Sequence, residues 1–546
     1  MSTGTISPAS AATKSGADRA GFGHLLHAEW TKFRTVRGWV IGMILAALLT
    51  VLIGLLTASG SNIGCQNGPN GPPLSGKACL PYIPHGPGGE VVTDSFYFVH
   101  QPLTGNGTIT ARVTSLTGYH ANVGHGPAHA TGEVPDTVPG LMPWSKAGII
   151  IKQNTRQGSA YAAMLVTGDY GVRMQYNFIH DSAGLPGKVT AASPRWLRLT
   201  RSGDIITGYD STDGRHWTEV GVAQLPGLPA TAQIGMFATS PNYVQTSTSF
   251  GGQSSQGGPS QATGVFGDVT LSGGTHGGNW VGTAVGGGGP SIPIAGVKPN
   301  AGFKAAGGTY TVAGSGDIAP VTPGGGSMLP TATIDQSLTG AFIGLIAIVV
   351  VAAMFFTAEF RRGLIRTTFA ATPRRGPVLA AKALVIGGVT FVVGLVTCVV
   401  AVAVCVPIMR NHGNIVLPVS ALTEVRVIVG TAAMLGITAV FATAIGAMLR
   451  RSAAAITIVI VAVVLPFLLN ALNVLPSGVG AWVFRLTPAA GLAIEQSIPH
   501  YPQVTTAYSV ARGIYPLPPW AGFLVLCCYA GAALGLALVV LRRRDA

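Results

Sequence analysis

Six uncharged apolar runs punctuate the chain: Trp39 to Leu56, Leu338 to Ala358, Ala383 to Met409, Val427 to Leu449, Ala453 to Leu472 and Trp520 to Leu541. Each is near the roughly 20 residues that carry a helix across about 30 Å of hydrocarbon, so each is expected to span a membrane. Between the first two runs the period changes from helical to two. "GTITARVTSL", "AGIIIKQN", "YAAMLVTGDYGVRMQYNF", "RWLRLTRSGDIITGYDSTDGRHWTEV" and "AQIGMFATS" alternate apolar and polar positions, with turn pairs at Gly168-Asp169, Ser202-Gly203 and Asp213-Gly214. At least eight strands without a helical pattern predict a β-sandwich or jelly roll. The expected fold is a multi-domain membrane protein: a six-helix α domain with an all-β sandwich inserted between spans 1 and 2.

The expected boundaries follow from these changes of pattern. Residues 1–23 are a disordered leader, and 24–60 hold an interfacial amphipathic helix and span 1. Residues 61–92 are a linker, 93–275 the sandwich, 276–335 a Gly- and Pro-rich tether or glycine-rich extension of the sandwich, and 336–546 spans 2–6 with a connector at 359–382. A leader this long, followed by five further spans, reads as a retained signal-anchor rather than a cleaved signal.

Composition adds orientation. The 546 residues are 48% hydrophobic and only 10% charged, with a formal net charge of +14. With a cytoplasmic N-terminus, the inner segments 1–38, 359–382, 450–452 and 542–546 hold 16 of the 33 Lys and Arg but four of the 19 acids. That excess obeys the positive-inside rule, so both termini are expected in the cytoplasm and the sandwich outside. The cations flank spans instead of striping a soluble face, so they do not read as a nucleic-acid footprint.

Two stretches concentrate charge beside a span. "HLLHAEWTKFRTVRG" places Leu26, Trp30, Phe33 and Val36 on one stripe, with His27, Thr31, Lys32 and Arg34 opposite; this predicts a helix lying in the headgroup layer. "AEFRRGLIRTTFAATPRRGPVLAAKALV" sets Leu364, Ile365 and Phe369 on one face, then breaks at Thr372-Pro373. It predicts a short surface helix that offers cations to a soluble partner.

"AEWTKFRTVRGWV" and "AEFRRGLIRTTFAATPRRGPVLAAKALV" together resemble the permease subunits of type-2 ABC exporters, especially the actinobacterial kind, and the resemblance covers the whole membrane portion. It implies a coupling helix docked on a separate cytoplasmic ATPase, carried by Glu359, Arg361, Arg362, Gly363, Arg366, Thr367, Thr368, Pro373 and Arg374. It implies an interfacial helix carrying Leu26, Glu29, Trp30, Lys32, Phe33 and Arg34, and a second permease copy as homodimer partner. ATP and Mg would bind the partner ATPase, in line with the absence of a GxxxxGK[ST] loop here. No metal site is read, and this chain is expected to be a transporter subunit without enzymatic activity of its own. The long outer domain departs from the family pattern.

That outer domain resembles the concanavalin-like, laminin-G-like jelly rolls through "PWSKAGIIIK", "GSAYAAMLVTG" and "RWLRLTRSGDIITGYDSTDGRHW". Trp144, Tyr161, Tyr209 and Trp217 are candidates for stacking on a surface glycan, with core packing as the other reading. No pair of carboxylates is placed for glycoside hydrolysis: Glu133 and Asp136 fall in a Gly/Pro loop, and Asp210 and Asp213 flank a turn. Cys65 and Cys79 are candidates for a disulfide, with free thiols as the alternative. No charge lies inside the runs, which suits a hydrophobic or amphiphilic cargo crossing the plasma membrane, with membrane lipid as a further partner of the spans. The alternative function is a glycan-binding surface receptor or scaffold that transports nothing.

Overall fold

A computed structural model describes residues 21–60, 64–66, 73–75, 83–121, 137–249, 252–290, 302–323, 331–361, 363, 375–472, 474–504 and 510–543. Among the described residues, six helices are long and apolar enough to cross a membrane. They are α2 (Arg37–Ser59), α3 (Thr339–Arg361), α4 (Arg375–Asn411), α5 (Ala421–Leu449), α6 (Ser452–Ala471) and α8 (Pro519–Arg543), preceded by α1 (Phe22–Thr35) and interrupted by the short α7 (Ser477–Arg485). Each expected run sits inside or within one residue of one of these helices, and α4 begins eight residues before its run.

The helices differ in how much neighbouring helices cover them. The most apolar windows of α3 and α5 are 61% and 67% buried and that of α2 only 22%, which makes α3 and α5 central and α2 peripheral. Small residues allow the close approaches, because helices in lipid associate by packing rather than by the hydrophobic effect. Gly340 and Gly344 of α3 lie against Thr50 of α2; a Cβ on Gly340 would stand 1.9 Å from the Thr50 carbonyl oxygen. Gly436 of α5 likewise approaches the Gly387 carbonyl of α4. Gly340→Val is therefore expected to wedge α2 from α3, costing about 1–3 kcal/mol, read as a lower melting temperature of the purified chain.

After α7 the chain turns back as a 3-10 stretch, Pro488–Glu495, buried along its length and packed on α8 and α5. Arg426 of α5 holds this stretch, donating to the carbonyls of Ile494 at 3.1 Å and Gln496 at 2.6 Å.

In chain order the described strands follow α2 and precede α3, except Ile415–Val416 between α4 and α5. They form two eight-stranded antiparallel sheets. The first runs His180–Ala183, Val172–Tyr176, Tyr161–Thr167, Lys146–Lys152, Thr231–Thr239, Phe96–Thr104 and Thr275–His276, with Val281–Val285 also on Phe96–Thr104. The second runs Thr218–Gln224, Ile205–Ser211, Arg195–Ser202, Gly107–Ala121, Ser260–Ser272, Thr309–Gly314 and Phe303–Ala306, with Thr137–Pro139 on Gly107–Ala121. The three predicted turns each join paired antiparallel strands. Ile149, Ile151, Met164 and Met236 of the first sheet meet Ile109, Ala111, Leu197 and Leu199 of the second in one apolar core.

The sheets differ on their outer faces. Along Arg195–Ser202 every second residue is buried, as for a sheet with one wet face. Along Lys146–Lys152 and Tyr161–Thr167 every residue is buried, so the first sheet is covered on both sides at these strands, while its edge strand His180–Ala183 is not buried. The cover includes Val92, Phe178, Val285 and Ile318, packed on Phe96, Phe98, Ile150 and Phe237. Two lysines are trapped beneath it. Lys152 donates to Asp94 at 2.8 Å with both side chains fully buried, and its ammonium lies 5.5–5.9 Å from the rings of Phe96, Tyr161 and Phe178. Burial pulls the Lys152 pKa below its ordinary value against the opposing pull of Asp94. Lys146 donates to Asp317 and to the Ile318 carbonyl, each at 2.7 Å.

Residues 276–335, expected as a tether or glycine-rich extension, largely extend the sandwich. Val281–Val285, Phe303–Ala306 and Thr309–Gly314 join the two sheets, and Ile318–Pro320 pairs with Val92–Asp94. Glycine makes this compactness possible: Gly307 and Gly308 take positive φ in the turn before Thr309–Gly314. The sandwich also touches the helix-connecting loops. Thr331–Ala332 pairs in parallel with Ile415–Val416 between α4 and α5. Val91 and Val321 pack with Ile415 and Leu417, and Gln503, before α8, donates to the Phe178 carbonyl at 2.9 Å.

Candidate functional site

The helical packing brings four charges together where α1, α3 and α4 meet. Leu26, Glu29 and Phe33 share one face of α1 at i, i+3 and i+7. Glu29 and Phe33 are buried and Leu26 half-buried against the helical core. Glu359 lies two residues before the end of α3, and Lys382 two turns into α4. The fully buried Lys382 ammonium donates to Glu29 at 2.7 Å and to Glu359 at 2.6 Å. Lys32 donates to the other oxygen of Glu29 at 2.7 Å and to Glu359 at 3.2 Å. Burial lowers the Lys32 pKa, but the two carboxylates more than offset it and hold it above the ordinary lysine value.

Two carboxylates and two ammoniums thus alternate and sum to zero. That arrangement is how a buried charge becomes tolerable: one lysine alone in an apolar base would cost several kcal/mol, whereas each carboxylate here faces two cations. Aromatic rings close the site. Phe355 stands 4.9 Å from Trp39 and 5.9 Å from Phe33, and the Lys382 ammonium lies 5.0 Å from the centre of its ring.

The cluster sits at both roots of the basic connector. Helix α3 ends at Arg361, where Gly363 takes a left-handed φ of 69° and donates its N–H to the Phe360 carbonyl. Helix α4 resumes at Arg375, whose side chain donates to the Leu541 carbonyl at the end of α8. Beside it, the Arg450 guanidinium lies 5.0 Å from the centre of the Phe360 ring. Of the residues expected to couple, Glu359 and Gly363 are placed. Arg361 closes α3, with its side chain outside the described residues. Arg362, Arg366, Thr367, Thr368, Pro373 and Arg374 lie outside the described residues.

On α1, Leu26 and Phe33 pack on the helical core and Glu29 faces inward beside them, while Trp30 and Val36, the latter just past the end of the helix, are 43% and 38% exposed. The buried Lys382 supplies the reason: it needs counter-charge from that face. Helix α4 starts before Lys382 and includes it, so the helix carries a charge that the uncharged run Ala383 to Met409 does not. Periodicity of hydrophobicity misses such a site, since both Glu29 and Lys382 score as surface residues; the usable signal is an isolated lysine in "VLAAKALV".

In the sandwich, Trp144 is 2% exposed and stacked on Tyr170 with centroids 4.2 Å apart, and Tyr161 is 1% exposed against Phe178 at 4.9 Å. These two rings pack in the interior and present no free face to a sugar. Tyr209 is half-buried in the second sheet, and the half-buried Trp217 ring carries the Arg198 guanidinium 3.8 Å from its centre. The four aromatics do not form one platform. The pairing of Cys65 with Cys79 lies outside the described residues. Cys398 and Cys405 are buried free thiols packed between α4 and its neighbours.

No family model and no curated protein matches the chain. Among solved structures, it is similar to a functionally unknown protein from Saccharomyces cerevisiae at 15% identity, covering 33% of this chain and 75% of that one with a TM-score of 0.20. It is also similar to scytalido-glutamic peptidase bound to a transition state analog inhibitor, at 10% identity, covering 42% of this chain and 100% of that one with a TM-score of 0.24. Similarity at this level assigns neither a family nor an activity.

Proposed function

We propose that the chain is the membrane-spanning subunit of a type-2 ABC exporter, working with a cytoplasmic ATPase that binds ATP and Mg. Two copies face each other, and a hydrophobic or amphiphilic cargo leaves between them. The six long helices cross the plasma membrane with both termini in the cytoplasm, and the sandwich forms the first extracellular loop. The observation that carries this reading is the four-charge cluster. A connector that takes force from a motor needs roots that move together; here Glu359 and Lys382 bond directly at 2.6 Å and are tied to α1 through Glu29 and Lys32. Displacement of the connector therefore moves α1, α3 and α4 as one body. At the outer end, contacts from the 415–417 and 498–503 loops let the sandwich follow that movement and gate the exit.

The double variant Arg362→Glu/Arg366→Glu tests the reading. It is expected to abolish co-purification of the ATPase while the chain still inserts with six spans, because it reverses the charge the connector offers to a docked partner. Undiminished co-purification would remove the coupling role.

A further inference from the structure

A groove of about 560 Å³ runs between α1, α2 and α4 and plays no part in the coupling described above. Trp30 and Arg34 of α1 form its mouth, and its walls run from Val40 to Val51 on α2 and from Val389 to Val400 on α4. We propose that it binds one chain of an anionic phospholipid from the cytoplasmic leaflet, with the headgroup on Arg34. The proposal rests on the orientation given above, and not on transport.

Length selects a lipid of one leaflet. Both walls cover twelve residues from the same end, eleven steps of 1.5 Å or about 16 Å, which is about half of a hydrocarbon core of about 30 Å. The wall chemistry selects an acyl chain: it is apolar except for Thr397, whose hydroxyl already donates to the Val393 carbonyl at 2.7 Å. The mouth selects the headgroup. Arg34 is exposed and has no carboxylate partner among the described residues, and Arg37, three residues on, is exposed and equally unpaired. Trp30, 43% exposed beside them, suits the headgroup layer, where indole rings concentrate. The peripheral, mostly uncovered position of α2 leaves the groove open to the bilayer.

The full chain, without its ATPase, would be reconstituted in nanodiscs of equal parts palmitoyl-oleoyl phosphatidylglycerol and phosphatidylcholine, stripped stepwise of lipid and weighed by native mass spectrometry. One phosphatidylglycerol per chain is expected to persist, preferred about thirtyfold, since two cations near the surface contribute about 1 kcal/mol each. Arg34→Glu/Arg37→Glu should abolish the preference. Val396→Trp, at a site 60% exposed and so free to accept a larger ring, should expel the lipid whatever its headgroup. Equal retention of both lipids by the native chain, or phosphatidylglycerol kept by Val396→Trp, would overturn the proposal. So would a dimer that Val396→Trp splits with no lipid retained, which would mark the groove as the seat of a second copy. ATPase co-purification reads the coupling proposal separately.

Discussion

Lys382→Met is expected to destabilise the helical domain by about 3–5 kcal/mol, the usual cost of removing one partner from a buried ion pair. The substitution keeps the length of the side chain and removes its charge. It leaves Glu29 and Glu359, which are 3% and 6% exposed, to share the single half-exposed Lys32. One Glu359 oxygen already lacks a partner, so the cluster has no spare donor to compensate. A lower melting temperature of the purified chain measures the loss. Lys382→Met/Glu29→Gln restores charge balance around the remaining Lys32–Glu359 pair, and should recover much of the stability. If the chain works with an ATPase as proposed, the double variant should not recover cargo-stimulated ATPase activity, because α4 is then no longer tied to α1 through Glu29. A Lys382→Met protein that melts with the native one would refute the burial of this ammonium.

The second large effect is expected in the sandwich. Asp94→Ala removes the only carboxylate that meets the fully buried Lys152 among the described ion pairs, together with the acceptor of the Gly158 N–H at 2.7 Å. A cost of about 3–5 kcal/mol follows from the stranded ammonium. Because Lys152 already sits below its ordinary pKa, the variant should respond by losing the proton, and its deficit should shrink as pH rises toward 10. The sign follows from proton binding: the unfolded lysine takes up a proton that the folded one refuses, so raising pH favours the folded form. Asp94→Ala/Lys152→Met should be close to native stability at every pH. Urea melts of the full chain followed by near-UV circular dichroism would resolve the three proteins.

What could be read beforehand depended on whether a residue's surroundings are local in sequence. The six long apolar helices were legible because about twenty apolar residues in a row favour one continuous helix, and the hairpins because Gly168-Asp169, Ser202-Gly203 and Asp213-Gly214 name their own turns. The covered face of the first sheet was not legible. "AGIIIKQN" looks like a strand with one wet side until Asp94 and Asp317, far along the chain, arrive to neutralise Lys152 and Lys146. The same holds at the base of the helices. The charge pattern points to Glu29, Lys32 and Glu359, but Lys382 falls at the edge of the connector, because a charge is normally the end of a span. Its burial makes sense only once α1 and α3 bring their carboxylates to it. Residues 276–335 leave two readings open, a tether or an extension of the sandwich, because glycine suits slack and tight turns alike; the strands at 281–285, 303–306 and 309–314, with Gly307 and Gly308 in the turn between the last two, favour the extension.

The zero sum of the four-charge cluster has an electrical consequence. A single lysine carried through the full transmembrane field would do work of about 2.3 kcal/mol per 100 mV, so a motion built on it would speed or stall with the membrane potential. Glu29, Lys32, Glu359 and Lys382 travel together as a neutral body. Under the proposed function the cluster itself therefore adds no gating charge to the stroke, and voltage acts at this end only on cations outside it, such as Arg34.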